Sequence, residues 1–114
     1  MGLDIYEYGR QKGQKRKKGT PRHGNYLMSL SESDFALLAA INDAYKQKTG
    51  VYIDEYGTTI LYRDHIELLT TIIANHEDTL SAPEKDKFTV KFAQLKVILN
   101  NAIESEINLR AEGD

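Results

Sequence analysis

The sequence predicts an α+β fold: a small antiparallel sheet of two hairpins packed against three helices, the C-terminal helix long. Three observations lead there. Short runs with period-two alternation come in pairs, and each pair is separated by turn-forming residues. Three longer runs place apolar residues at three- and four-residue spacing. Hairpins separated by helices favour an antiparallel sheet covered on one face by helices. A length of 114 residues with 40% hydrophobic content fits one domain, residues 1–114, that buries a core without staples.

Taken in order, residues 3–8 (LDIYEY) set Leu3 and Ile5 against Asp4, Tyr6 and Tyr8, the alternation of a half-buried strand. Residues 25–30 (NYLMSL) read as its hairpin partner. At Ser31 the motif SESD is a capping-box variant, with Asp34 three residues after the Ser, and opens the first helix. Phe35, Leu38, Ile41, Asn42 and Tyr45 form its stripe, widened by Leu37 and Ala44. Lys46, Lys48 and Gly50 mark its end by charge and by left-handed conformation. Residues 51–53 then read as a strand, residues 54–57 (DEYG) as a turn, and residues 58–61 as the returning strand. A second helix is expected over 64–77, with Ile66, Leu69, Ile72 and Ile73 inward. In SAPE (81–84), Ser81 precedes Glu84 by three and Pro83 sits in the first turn. The stripe Phe88, Phe92, Leu95, Leu99, Ala102 and Leu109 extends the last helix from 83 to near 110, with a break in rhythm at Glu106. At ~1.5 Å per residue it would run some 40 Å. The apolar residues between Phe88 and Leu99 suit packing within the chain or between two copies, so a homodimer stays open.

Composition narrows the function. Without Cys there is neither a disulfide framework nor a thiolate metal site. No apolar run approaches the ~20 residues that cross a bilayer, and the first residues lack the order of a signal peptide. A cytoplasmic protein without membrane partners is the expectation. No catalytic signature stands out. His65 and His76 on one helix would lie ~16 Å apart, too far for a common metal. The cluster Asn75, His76, Glu77 and Asp78 reads as a solvated helix end, and Gly13, Gly19 and Gly24 lack the strand-to-helix context of a phosphate loop. The expectation is a non-enzyme with no cofactor and no metal.

Charge is the informative feature. Seven of the fifteen Lys and Arg fall between residues 10 and 22, where there is no acid, whereas residues 24–114 carry eight basic and fifteen acidic side chains. The net charge of −2 hides this segregation, which bears on partners rather than on fold. The basic segment 9–24 holds almost nothing apolar and reads as a mobile hairpin tip. Its charge fits three roles. It could guard the edge strands against aggregation, grip phosphates with a steep salt dependence, or plug an acidic protein cleft such as that of a metal-dependent nuclease. No aromatic is interleaved between Arg10 and His23, so base stacking has no platform. Lys15, Arg16, Lys17 and Lys18 are its candidate contacts. The second candidate is the turn, where Tyr52, Asp54, Glu55 and Tyr56 combine large rigid contact area with negative charge. Taken singly, Tyr52 or Tyr62 would do no more than cover a sheet edge.

Two stretches carry a resemblance. MGLDIYEY is similar to the starts of small bacterial and phage proteins. TGVYIDEYGTTILYRDHIELL, residues 49–69, resembles a segment of small immunity proteins that accompany polymorphic or contact-dependent toxins. The resemblance covers about a third of the chain and implies an interaction protein that binds and silences a cognate toxin, with Asp54, Glu55 and Tyr56 as exposed turn residues. The basic insertion between the first two strands departs from that pattern. The favoured expectation is a protein-binding inhibitor that covers or plugs a toxin's active site. The alternatives are a nucleic-acid-binding accessory protein using the basic segment, and a phage-encoded inhibitor of a host defence enzyme.

Overall fold

The computed structural model describes residues 2–8 and 25–113. Along the chain run β1 (Gly2–Tyr8), β2 (Tyr26–Ser31), α1 (Glu32–Ala36), α2 (Ala39–Thr49), β3 (Thr58–Leu61), α3 (Arg63–Asp78), α4 (Ala82–Lys91), α5 (Ala93–Ser105) and β4 (Asn108–Gly113). The strands form one sheet in the order β2-β1-β4-β3, every neighbouring pair antiparallel. The α+β class is as the sequence predicts. The pleat sends Leu3, Ile5, Met28, Leu30, Leu61, Leu109 and Ala111 to one face. There they join Tyr45, Ile66, Phe92 and Leu99 from the helices in a continuous core. The opposite face receives Asp4, Tyr6 and Tyr8 from β1 and Arg110 and Glu112 from β4.

The predicted β1–β2 hairpin is present, with a bulge between Ile5 and Tyr6 that shifts the register by one on β2. Ser31 caps α1 as its motif predicts, its Oγ accepting from the Asp34 N–H at 3.1 Å. Gly50 closes α2 at φ 78°, and its N–H returns to the Lys46 carbonyl at 2.8 Å.

Three expected features differ. The first helix breaks at Leu37–Leu38, although Ala36 to Ala40 are all good helix formers. The break is tertiary in origin: α1 packs on β1 and β2, while α2 packs on α3. The second expected hairpin is absent, because residues 51–53 belong to no strand. Their pairing is taken over by a side chain, described below, and β3 pairs instead with β4. The long last helix is divided into α4 and α5 by Phe92, at φ −105° and ψ 16°, and stops at Ser105. Glu106 then adopts the left-handed conformation, φ 56° and ψ 44°, and the chain turns back into β4 between β1 and β3. Leu109, read from the sequence as the last helical stripe residue, is fully buried on the inner face of that strand.

Candidate functional site

The turn at 54–57 is built by its neighbours. Asn42 on α2 lies within the apolar stripe and is only 3% exposed. Its Nδ2 donates to the Ile53 carbonyl, and its Oδ1 accepts from the Ile53 N–H, both at 2.9 Å. The carboxamide thus imitates one residue of an adjacent strand and satisfies both backbone groups of Ile53 without a β partner. One residue further on, the Asp54 N–H donates to Thr59 Oγ1 at 3.0 Å. Asp54 Oδ1 accepts from the Tyr56 N–H at 2.9 Å, an Asx turn. The Gly113 N–H donates to the Gly57 carbonyl at 2.7 Å, and a side chain at Gly113 would collide with the Glu55 carbonyl. An element of irregular backbone is thereby fixed from α2, β3 and β4 together.

What the turn presents is aromatic and acidic. Tyr56 is 64% exposed, Tyr52 and Asp54 are exposed as well, and Glu55 is half-buried. Glu32, at the start of α1, and Phe35 face Glu55 and Tyr56 across a shallow depression that also includes Gly2. Hydrogen bonding to Glu55 and the charge of that carboxylate, followed by those of Glu32 and Asp54, hold the Tyr56 phenol above its usual pKa. It therefore remains a neutral hydrogen-bond donor at physiological pH. Lys46 Nζ lies 5.4 Å from the centre of the Tyr52 ring. Of the four residues predicted for this patch, Tyr52, Asp54 and Tyr56 are exposed and Glu55 is half-buried. Asp54 shapes the turn with one carboxylate oxygen.

No protein-family model, curated protein or solved structure matches the chain.

Lys15, Arg16, Lys17 and Lys18, with the expectation of a mobile tip at 9–24, lie outside the described residues. The fold nevertheless fixes where that segment joins. Gly2, Ser31, Thr58 and Gly113 share one end of the sheet with the 54–57 turn, whereas Tyr8 and Asn25 stand at the other end. The length of β1, about 20 Å at ~3.3 Å per residue, separates the two. The acidic turn and the attachment points of the basic segment are thus at opposite ends of one sheet.

The polar cluster at the end of α3 departs from the solvated reading. Glu77 is 6% exposed, accepts from Thr89 Oγ1 at 2.7 Å and pairs with Lys96 Nζ. Burial alone would push the Glu77 carboxyl up, but hydrogen bonds from Lys96 and Thr89 and the charges of Lys96 and Lys85 outweigh it and hold the pKa below the usual value. His76 packs against Phe88, ring centres 5.4 Å apart. A groove between α3 and α5 contains Glu77 and Lys96, but each spends its charge on the other. The pair fastens α3 to α5. Tyr45, buried against His65, is raised to about 12 by desolvation. Among the described residues, no group of three or more His, Asp or Glu is placed to hold a metal ion, and no helix is long and apolar enough to cross a membrane.

Sequence reasoning missed Asn42 as the organiser of the turn. The available signal was an amide inside an otherwise apolar stripe, since a buried amide needs partners.

Proposed function

We propose that this protein is a binding inhibitor of immunity type, which covers the active site of a basic partner protein, a nuclease-like toxin being the best fit. The observation that supports this reading is the 54–57 turn. It is irregular backbone held by Asn42, Thr59, Asp54 and Gly113, and together with the adjacent Tyr52 and Glu32 it groups two exposed Tyr with three carboxylates. Pre-organisation lowers the ordering cost of binding. Tyr provides contact area at little rotamer cost, and the acids steer a cationic surface into register. A nuclease that grips phosphate offers the complementary charge. Inhibition of this kind works by affinity and needs no reacting group.

The test is retention of a neighbouring-gene product with toxin-like character. Wild type is expected to hold it at low salt and to release it progressively as salt rises. Glu55→Lys combined with Tyr56→Ala is expected to abolish retention while leaving the thermal transition in place. Asp54→Asn preserves the Asx turn and is expected to weaken binding only modestly. Undiminished retention by the Glu55/Tyr56 variant would remove the turn from the interface.

A further inference from the structure

The face of the sheet turned away from the helices carries an arrangement that the turn does not explain. In register across it stand Tyr26 on β2, Tyr6 on β1, Arg110 on β4 and Ile60 on β3. Tyr26 and Tyr6 meet edge to face, with ring centres 5.7 Å apart. The Arg110 guanidinium lies over the Tyr6 ring, 4.7 Å from its centre. Arg110 is only 4% exposed, and its Nε and Nη1 have no hydrogen-bond acceptor. Glu112 Oε1 is 3.4 Å from Nε, close enough to balance charge but not aligned to accept. Tyr8 follows Tyr6 on the same face, opposite Asn108.

We infer that this face is a stacking platform for single-stranded nucleic acid, with Tyr26, Tyr6 and Tyr8 as the stacking groups and Arg110 as the cation against the Tyr6 ring. Every base has a π-face, so a row of rings on the sheet accepts unpaired bases without reading their sequence. The cation on the Tyr6 ring withdraws electron density from it and offsets the negative potential that an approaching strand brings. Charge complementarity singles out this occupant. The segment joining Tyr8 to Asn25 carries seven Lys and Arg and no acid, and both of its junctions adjoin this row. The row on the other side of Tyr6 (Ser29, Asp4, Glu112 and Thr58) contains two carboxylates that repel a phosphate backbone. A strand is therefore confined to the Tyr8 end. Aromatic groups were missing only within the basic segment; the fold supplies them on the strands flanking it. This site is independent of the 54–57 turn and lies beyond the proposed inhibitor role.

The test uses fluorescein-labelled oligothymidine of fifteen nucleotides and the matching duplex, with the full chain, at about 50 mM salt. The single strand is expected to bind, and the duplex, whose bases are already stacked, to bind at least ~10-fold more weakly. Tyr26→Ala is expected to weaken single-strand binding by roughly 5- to 150-fold, the range for losing one stacked base. Tyr26→Phe should retain affinity, and Val90→Ala, at an exposed position on α4, should have no effect. A photoreactive iodouracil strand on unaltered protein should crosslink to Tyr26, Tyr6 or Tyr8, a readout that does not depend on any variant folding. Absence of binding at low salt, equal binding of duplex, wild-type affinity in Tyr26→Ala, or crosslinks confined to other residues would each overturn the inference. Failure here leaves the turn's protein-binding role standing, and loss of that role leaves this one untouched.

Discussion

Replacing Asn42 by Ala removes one side chain and two hydrogen bonds, and leaves the Ile53 N–H and C=O without partners in a partly buried setting. An intramolecular hydrogen bond contributes ~0.5–1.5 kcal/mol net, and stranding a buried group costs ~1–3 kcal/mol. Ile53 is half-buried, so water recovers part of the loss, and about 2–3 kcal/mol remains. For a domain of this size roughly 4 °C accompanies each kcal/mol, so the midpoint should fall by roughly 8–12 °C. Urea unfolding followed by circular dichroism measures the change, and an unaltered slope would show that the unfolded state is unaffected. Hydrogen exchange localises it: the amides of Ile53 and Asp54 should lose protection while those of α5 follow global stability alone. Asn42→Asp keeps an acceptor for the Ile53 N–H but turns a charge towards its carbonyl, so it should not rescue. A loss below about 0.5 kcal/mol, with protection at Ile53 intact, would refute the idea that the amide holds the turn.

Three further outcomes follow from the packing. Gly113→Ala places a methyl group against the Glu55 carbonyl and 2.7 Å from the Tyr56 nitrogen, and is expected to cost about 1–3 kcal/mol and to shift amide resonances at 54–57; unchanged resonances there would contradict the close approach. Glu77→Gln is expected to cost about 1–3 kcal/mol near neutral pH by leaving Lys96 without its counter-charge. Because the folded Glu77 pKa is lowered, its stabilisation is full above the unfolded value near ~4.3 and disappears as pH falls through the folded value. The gap between wild type and Glu77→Gln, followed by melts from pH 7 to 2, should therefore close at the acid end, and a constant gap would contradict the pairing. Gly50→Ala adds a Cβ at φ 78° with nothing within 4 Å, so the expected cost of about 1 kcal/mol is purely conformational, with Asn tolerated better.

Local signals were legible where the cause is local. Ser31 and Asp34 mark a helix start, Gly50 an end, and the alternation of Leu3 and Ile5 a strand, and each stands where it was read. The tail of the chain was not legible, because its decisive step is Glu106 in a left-handed conformation. The break in rhythm at Glu106 was visible, but a non-Gly residue does not announce a left-handed turn, and Leu109 continues the helical rhythm by coincidence. β4 pairs with strands far away in sequence, and its alternation of Leu109 and Ala111 against Arg110 and Glu112 is short and contains a weak strand former. The candidate turn was legible as composition, Tyr with acids, but not as construction, since Asn42 and Gly113 reach it from 11 and more residues away. Arg110 beneath Tyr6 was invisible for the same reason: only the register of β1 with β4 brings them together.

The most direct measurement is calorimetric titration of a toxin-like neighbouring-gene product with wild type and with Glu55→Lys/Tyr56→Ala, at two salt concentrations. Tight, salt-weakened binding by the first and a loss of at least ~100-fold by the second, with melting temperatures matched, is the predicted result. Equal affinities for the two proteins would show that recognition occurs elsewhere on the molecule.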